Sequence, residues 1–224
     1  MKLPLLAAAA LTLASARADY STTFATPPYA LDQTVIGTDG WTDRLPTEKA
    51  KPDTTRVVAV RWNNHHGALM MKGANLKNTF PPTVGDKVKI TFDLAVTFPD
   101  NAARRPFRLG FTGAPCGEIF LEGGADGGLG FQADGSGRGG VVALRKSEVK
   151  INSFYTFALT IDYARRTYDL TLSGQRKDGS PFQHRAEGVA FESKTKAVSS
   201  LYIIADGAIT AYLGSIIIHS EALP

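Results

Sequence analysis

Apolar and polar residues alternate twice between residues 154 and 173, on either side of a short basic turn at residues 164–166. A period of two is typical of a β-strand that buries one face, because successive side chains of a strand point to opposite sides of the sheet. The segment therefore predicts a long antiparallel β-hairpin. The apolar positions of its two arms are Tyr155, Phe157, Leu159, Ile161 and Tyr163, then Tyr168, Leu170 and Leu172.

The same pattern predicts strands along most of the chain. The longest covers residues 87–98, and Pro81-Pro82 and Gly85-Asp86 predict breaks before it. Asn63-Asn64-His65-His66-Gly67 predicts a turn that joins strands 56–62 and 68–72 into a second hairpin, because Asn and Gly tolerate left-handed backbone. The remaining predicted strands are 21–24, 107–112, 118–121, 129–132, 141–145, 201–205 and 212–219, with one short helical turn at 192–196.

About a dozen strands with almost no helix predict an all-β fold, a sandwich of two packed antiparallel sheets. No low-complexity linker, charge block or internal repeat divides the chain. We therefore expect residues 19–224 to form a single domain, which is an ordinary size for one sandwich.

The N-terminus has the pattern of a secretory signal peptide. Lys2 precedes an apolar run over residues 3–14, and Ala16-Arg17-Ala18 supplies a small-x-small cleavage site. We predict that residues 1–18 are removed and that the mature protein is secreted or periplasmic. No second apolar run approaches the roughly 20 residues of a membrane-spanning helix, so membrane insertion is not expected.

Charge and cysteine content restrict the possible partners. Removing Lys2 and Arg17 with the leader leaves 23 basic against 21 acidic residues, a net charge of +2, so the sequence does not predict nucleic-acid binding. The lone Cys116 cannot form an intrachain disulfide, and we expect it to be buried between strands. The sequence does not indicate an oligomeric state.

The mature chain resembles the concanavalin A-like lectin and glucanase superfamily, in the laminin-G-like jelly-roll form of exported bacterial proteins. The resemblance covers most of the chain and implies a jelly-roll sandwich. Sugar-binding modules, adhesion domains, glycoside hydrolases and polysaccharide lyases all use that fold. The residues that carry the resemblance are Gly40-Trp41, the strand 87–98 with Arg108-Leu109-Gly110-Phe111, Tyr155-Thr156-Phe157 with Ile161-Asp162-Tyr163, and the last strand from Tyr212.

Two departures from the superfamily pattern matter. The E-x-D-x-E strand that pairs carboxylates in many of its glycosidases is missing. The acidic pair of the last strand that helps to hold calcium is also missing, since Gly214-Ser215 follows Tyr212-Leu213. Asp126, Asp134 and Asp206 lie beside glycines, where turn formation explains them better than calcium does. We therefore predict no cofactor, and a structural calcium is the weaker alternative.

The best candidate for a ligand site is the segment from Arg61 to His66. Trp62 offers an aromatic platform for a sugar ring, while Arg61, Asn63, His65 and His66 supply hydrogen-bonding groups. Arg108 is predicted to join them. Trp41 is a second candidate platform, although packing in the core or at a strand edge explains it better. Adjacent histidines rarely converge on one metal ion, so no metal site is predicted. The preferred function is a non-catalytic, lectin-like protein that binds a polysaccharide or glycan.

Two alternatives stay open. The first is a polysaccharide-degrading enzyme, a lyase rather than a hydrolase, with Arg104, Arg105 or Arg108 neutralising a uronate. Its proton acceptor would be one of His65, His66, His184, Tyr155 and Tyr168. The second alternative is a structural or adhesion protein without a sugar site. A cleft lined by Trp62, His65 and Arg108 would favour sugar binding or lyase chemistry.

Overall fold

A computed structural model describes residues 19–25, 27–44, 55–97, 106–112, 118–124, 126–132, 140–191 and 197–221. Within these ranges the chain forms strands and one short 3-10 helix at Lys146–Glu148. The strands are β1 Tyr20–Thr23, β2 Trp41–Asp43, β3 Thr55–Ala59, β4 Gly67–Met71, β5 Ala74–Val84, β6 Lys87–Val96, β7 Phe107–Thr112, β8 Ile119–Glu122, β9 Gly128–Phe131, β10 Val141–Arg145, β11 Tyr155–Asp162, β12 Thr167–Gln175, β13 Pro181–Ala190, β14 Ala197–Ala205 and β15 Ala211–Glu221.

The strands form two antiparallel sheets. The eight-stranded sheet has the order β13-β12-β11-β6-β15-β4-β3, with β1 also paired to β15. The seven-stranded sheet has the order β10-β9-β8-β7-β14-β5-β2. Their inner faces share one apolar core, in which Phe92 of the first sheet contacts Phe111 of the second at a ring separation of 5.9 Å. The predicted all-β, two-sheet sandwich is confirmed.

The predicted hairpin at residues 154–173 is confirmed as β11 and β12. Leu159 pairs with Leu170, and Tyr155, Phe157 and Ile161 are fully buried while their neighbours along β11 are only partly buried. On its other side β11 pairs with β6, so the hairpin lies inside the sheet. Its clear alternation follows from this position, because an interior strand must keep one face in the core.

The predicted break at Pro81-Pro82 is wrong. Both prolines lie within β5, at a register shift where residues 80–82 oppose the single position between Val198 and Ser200 of β14. A bulge leaves backbone groups outside the ladder, so proline, which has no N–H to donate, is tolerated there.

Strands β5 and β13 were not predicted, because some of their inward positions carry polar or small residues. Asn78 is buried in β5 and His184 faces inward in β13, which weakens the apolar alternation of both strands. The predicted helical turn at 192–196 and the leader at 1–18 lie outside the described residues. Across the described ranges, the structure contains no helix of sufficient length and apolarity to span a membrane.

Candidate functional site

The segment after β3 forms the predicted tight turn. Asn63 and Asn64 have left-handed backbone, with φ of 47° and 66°, and the His65 N–H donates to the Trp62 carbonyl at 2.9 Å. Asparagine adopts this conformation more readily than other non-glycine residues do. The turn projects Trp62 and His65 over the outward face of the eight-stranded sheet.

The Asn63 side chain anchors this turn to the start of β11. Its Oδ1 accepts hydrogen bonds from the Ser153 hydroxyl and from the Phe154 N–H, each at 3.2 Å. Asn63 was predicted to be a ligand-binding residue. The structure gives its side-chain oxygen a positioning role, since both bonds hold Phe154 beside the turn.

Three aromatic side chains meet on this outward face. Trp62 packs edge-on against Tyr212 of β15 at a ring separation of 5.0 Å and tilts against Phe154 at 5.8 Å. They cover small apolar residues of the sheet, including Ala68 and Ala95. Trp62 and Tyr212 remain partly exposed, so the cluster presents an aromatic edge to a ligand.

Beside the aromatic cluster, Asp93 of β6 organises a polar network. Its Oδ1 accepts from the Thr156 hydroxyl at 2.5 Å, and its Oδ2 accepts from the Ser215 hydroxyl at 2.6 Å. The His65 Nε2 lies 3.2 Å from the same Oδ2, the distance of an N–H···O hydrogen bond. The His65 and Asp93 side chains are 19% and 16% exposed, so a ligand can reach the network. We call this group of four residues the Asp93 site.

Gly214 lets the turn approach the sheet. A Cβ at this position would lie 2.9 Å from both Cε1 and Nδ1 of His65 and 3.0 Å from Cε1 of Phe154. These separations are closer than normal carbon contacts, so a side chain here would displace one or both rings. The His65 ring, which is also 4.4 Å from the Phe154 ring, therefore sits where it does because residue 214 lacks a side chain.

The Asp93 site belongs to a polar row that crosses the sheet in register. At the usual spacing between neighbouring strands, six strands extend over about 24 Å. That length suits several units of an extended oligosaccharide rather than a single small ligand. The row consists of Thr23, Ser215, Asp93, Thr156, Ser173 and Gln183.

The remaining predicted ligand residues lie in different places. Arg61 and His66 are exposed at the turn. Arg108 lies on the outward face of the seven-stranded sheet, because its neighbours Phe107 and Leu109 point into the core. The structure therefore does not form the predicted cleft of Trp62, His65 and Arg108.

Several other candidates are core residues. Trp41 is fully buried, and its Nε1 donates to the Tyr29 hydroxyl at 3.1 Å. The Tyr155 and Tyr168 hydroxyls donate to the carbonyls of Gln175 and Gln132. These three side chains are unavailable to a sugar.

His184 was also considered as the proton acceptor of a lyase. His184 faces inward and contacts Phe131 of the opposite sheet at 5.6 Å. Arg104, Arg105 and Cys116 lie outside the described residues. Of the proton acceptors considered for a lyase, His65 is the one that the structure places in a polar network on an outward face.

Of the aspartates considered for calcium, Asp126 and Asp206 lie within the described residues. Asp206 accepts from the Ala208 N–H at 2.8 Å, which is the turn hydrogen bond expected of an aspartate. Asp134 lies outside the described residues. Within the ranges that the structure describes, no group of three His, Cys, Asp or Glu side chains could hold a metal ion.

Asp93, Thr156 and Ser215 were not predicted as site residues. Asp93 is 63 positions from Thr156 and 122 positions from Ser215, so no local motif joins them. The one available signal was their polar character at the outward positions of strands whose inward positions are apolar.

A solved structure with a similar fold is the catalytic domain of the glycoside hydrolase family 131 protein from Coprinopsis cinerea. It is 13% identical, has a TM-score of 0.53, and the match covers 92% of this chain and 96% of that chain. The chain has a concanavalin A-like fold. The jelly-roll fold that the resemblance implies is confirmed, and at this identity the likeness concerns the fold alone.

Other matches are weaker. Lectin I-B4 from Griffonia simplicifolia is 11% identical with a TM-score of 0.48, and the match covers 89% of this chain and 98% of that one. The PL-14 alginate lyase from Aplysia kurodai is 11% identical with a TM-score of 0.44, covering 74% and 87%. No protein-family model matches the chain, and no curated protein is similar to it in sequence.

Proposed function

We propose that this protein is an exported, non-catalytic, lectin-like protein that binds a polysaccharide at the Asp93 site. The observation that carries the proposal is the Asp93 carboxylate, which fixes two hydroxyl groups beside the aromatic edge of Trp62 and Tyr212. The fold shared with a glycoside hydrolase domain is compatible with a carbohydrate ligand.

The hydrogen bonds to Asp93 determine what the site offers a sugar. The Thr156 and Ser215 hydroxyls each donate their only hydrogen to the carboxylate, so their oxygens are acceptors toward a ligand. Sugar hydroxyls can donate to these acceptors, while the apolar face of a pyranose ring packs on an aromatic side chain. A fixed network also reduces the entropy that binding would otherwise cost.

Among the residues that the structure describes, none supplies the Asp93 site with the second carboxylate that paired-acid hydrolysis requires. Such enzymes hold two carboxyl groups about 5 to 10 Å apart. Among the described residues of the neighbouring strand, the nearest acid on the same face is Asp162, which lies six positions beyond Thr156. Six residues of β-strand extend about 20 Å, so Asp162 cannot complete a pair with Asp93.

The test is retention of the purified mature protein on a panel of neutral and uronate-rich polysaccharides. We expect retention on at least one neutral polymer without any product. Trp62→Ala should weaken that retention about tenfold, and Trp62→Phe should weaken it less, because the ring keeps part of the contact. Val84→Ala is the control, since Val84 is an exposed apolar residue of β5, in the opposite sheet. Equal retention of Trp62→Ala and the control would refute the location of the site.

A second candidate function is polysaccharide cleavage by a lyase. The contact between His65 and Asp93 favours it, because a carboxylate that orients an imidazole is a common arrangement for a general base. The same panel distinguishes the candidates. Rising ultraviolet absorbance from new unsaturated sugar ends, abolished in His65→Ala, would establish a lyase. The absence of both retention and product would favour a structural or adhesion role.

A further inference from the structure

The outward face of the seven-stranded sheet carries a second polar cluster, centred on Tyr202 of β14. A Cβ at Gly110 of the adjacent β7 would lie 2.5 Å from both Cζ and Oη of Tyr202, so the tyrosine ring occupies the space left by the glycine. The ring crosses β7, and its hydroxyl donates to Glu118 Oε2 at 3.1 Å. Tyr202 and Glu118 are therefore held together by the lack of a side chain between them.

Cationic side chains surround this pair. The Arg44 guanidinium carbon lies 4.9 Å from the centroid of the Tyr202 ring, within the range of a cation–π contact. Arg108 Nε lies 3.8 Å from Glu118 Oε1, and Lys77 of β5 is the exposed register partner of Tyr202. Among the described residues, three cations thus accompany the carboxylate of Glu118 and, further along the same face of β8, that of Glu122.

The distance from Arg108 to Glu118 leaves donors for a ligand. A separation of 3.8 Å is too long for a hydrogen bond, although it permits electrostatic attraction. The Arg108 side chain is 42% exposed and Glu118 is 13% exposed. The planar N–H groups of Arg108 are therefore positioned to meet a carboxylate with two parallel hydrogen bonds.

We propose that this cluster, consisting of Arg44, Lys77, Arg108, Glu118 and Tyr202, is a binding site for an acidic saccharide, with Arg108 receiving the carboxylate of a uronate unit. It lies on the sheet opposite to the Asp93 site, so it stands independently of the proposed function there. The chemical composition selects the ligand class. The excess of cations attracts an anion, and the Glu118 carboxylate accepts hydrogen bonds from sugar hydroxyls, which a bare phosphate or sulfate lacks.

Tyr202 remains a neutral hydrogen-bond donor under ordinary conditions. Burial and the neighbouring Glu118 raise the pKa of its hydroxyl to about 12. The tyrosine therefore keeps Glu118 oriented, so that its other oxygen faces Arg108 and an incoming sugar.

The experiment is a calorimetric titration of the mature protein, which measures its affinity for a galacturonate oligosaccharide and for the methyl ester of that oligosaccharide, which carries no charge. We expect the acid to bind about tenfold more tightly than the ester, and Arg108→Ala to reduce the affinity for the acid about tenfold. Arg108→Lys should recover part of this loss, because lysine keeps the charge without the planar fork. Arg185→Ala is the matched control, since Arg185 is an exposed arginine on the other sheet.

Several results would overturn the inference. These are equal affinity for acid and ester, equal losses in Arg108→Ala and Arg185→Ala, or equally tight binding of a sulfated galactan. Failure to bind either galacturonate or alginate oligosaccharides would overturn it as well. Trp62→Ala should leave acid binding unchanged, which separates this site from the Asp93 site. Thermal unfolding of each variant checks that the fold is intact.

Discussion

Asp93 is the residue whose replacement tests the candidate site most sharply, because one carboxylate receives three donors. Asparagine keeps the shape but replaces one acceptor oxygen with an NH2 group. At the Oδ1 position the new NH2 group would face Thr156, whose hydroxyl can rotate to accept. Ser215 and His65 would continue to donate to the remaining oxygen. Asp93→Asn therefore keeps all three contacts but removes the charge that strengthens them.

The expected losses follow from this geometry. A hydrogen bond to a charged group contributes about 1.5–3 kcal/mol, and a neutral one about 1 kcal/mol. Water partly replaces these bonds at a side chain that is 16% exposed. We expect Asp93→Asn to lower the free energy of unfolding by about 1 kcal/mol and Asp93→Ala by about 2–3 kcal/mol, since alanine removes every acceptor. Urea unfolding monitored by circular dichroism measures both values.

The two variants also differ in their predicted effect on ligand binding. In Asp93→Asn the Thr156 hydroxyl turns its hydrogen outward, so the site presents a donor where it had an acceptor. Polysaccharide affinity should fall about tenfold, which corresponds to about 1.4 kcal/mol. If both variants unfold within about 0.5 kcal/mol of the wild type, as ordinary surface substitutions do, the proposed network is wrong.

Three further outcomes are expected. Gly214→Ala should lower the free energy of unfolding by about 1–3 kcal/mol, because its methyl group would overlap His65; urea unfolding measures this, and an unchanged midpoint would contradict it. Since folding raises the pKa of Tyr202 to about 12, stability should decline as the pH rises from about 10 to 12, and Tyr202→Phe should reduce that decline in alkaline unfolding experiments; equal slopes would disprove the contribution. Trp41→Ala should cost about 3–5 kcal/mol, because Trp41 is fully buried, whereas a loss below about 1 kcal/mol would argue against a core role.

The sequence predicted the interior strands of the eight-stranded sheet well. The hairpin β11–β12 and strand β6 have a clear period of two, because each buries one face and exposes the other. Prediction failed where the inward positions are not consistently apolar. His184 and Ala186 face inward in the edge strand β13, and Asn78 is buried in β5, where the bulge at Pro81-Pro82 also interrupts the pairing.

The candidate site was only partly predictable. The turn with Trp62 and His65 was recognisable, because its asparagines and aromatic residue are adjacent in the chain. Its partner Asp93 was not, because the strand register of β6, β11 and β15 brings the network together. Arg108 was predicted to join Trp62, but nothing in a local pattern specifies which of two sheets a strand will enter.

The most direct test of carbohydrate binding at the Asp93 site is tryptophan fluorescence during titration with a retained polysaccharide fragment. The chain has two tryptophans, of which Trp41 is fully buried and Trp62 lies at the site. We predict a saturable change in emission in the wild type that disappears in Trp62→Phe, where Trp41 is the remaining fluorophore. The same saturable change in Trp62→Phe, or binding to the wild type without any change in emission, would contradict the proposed site.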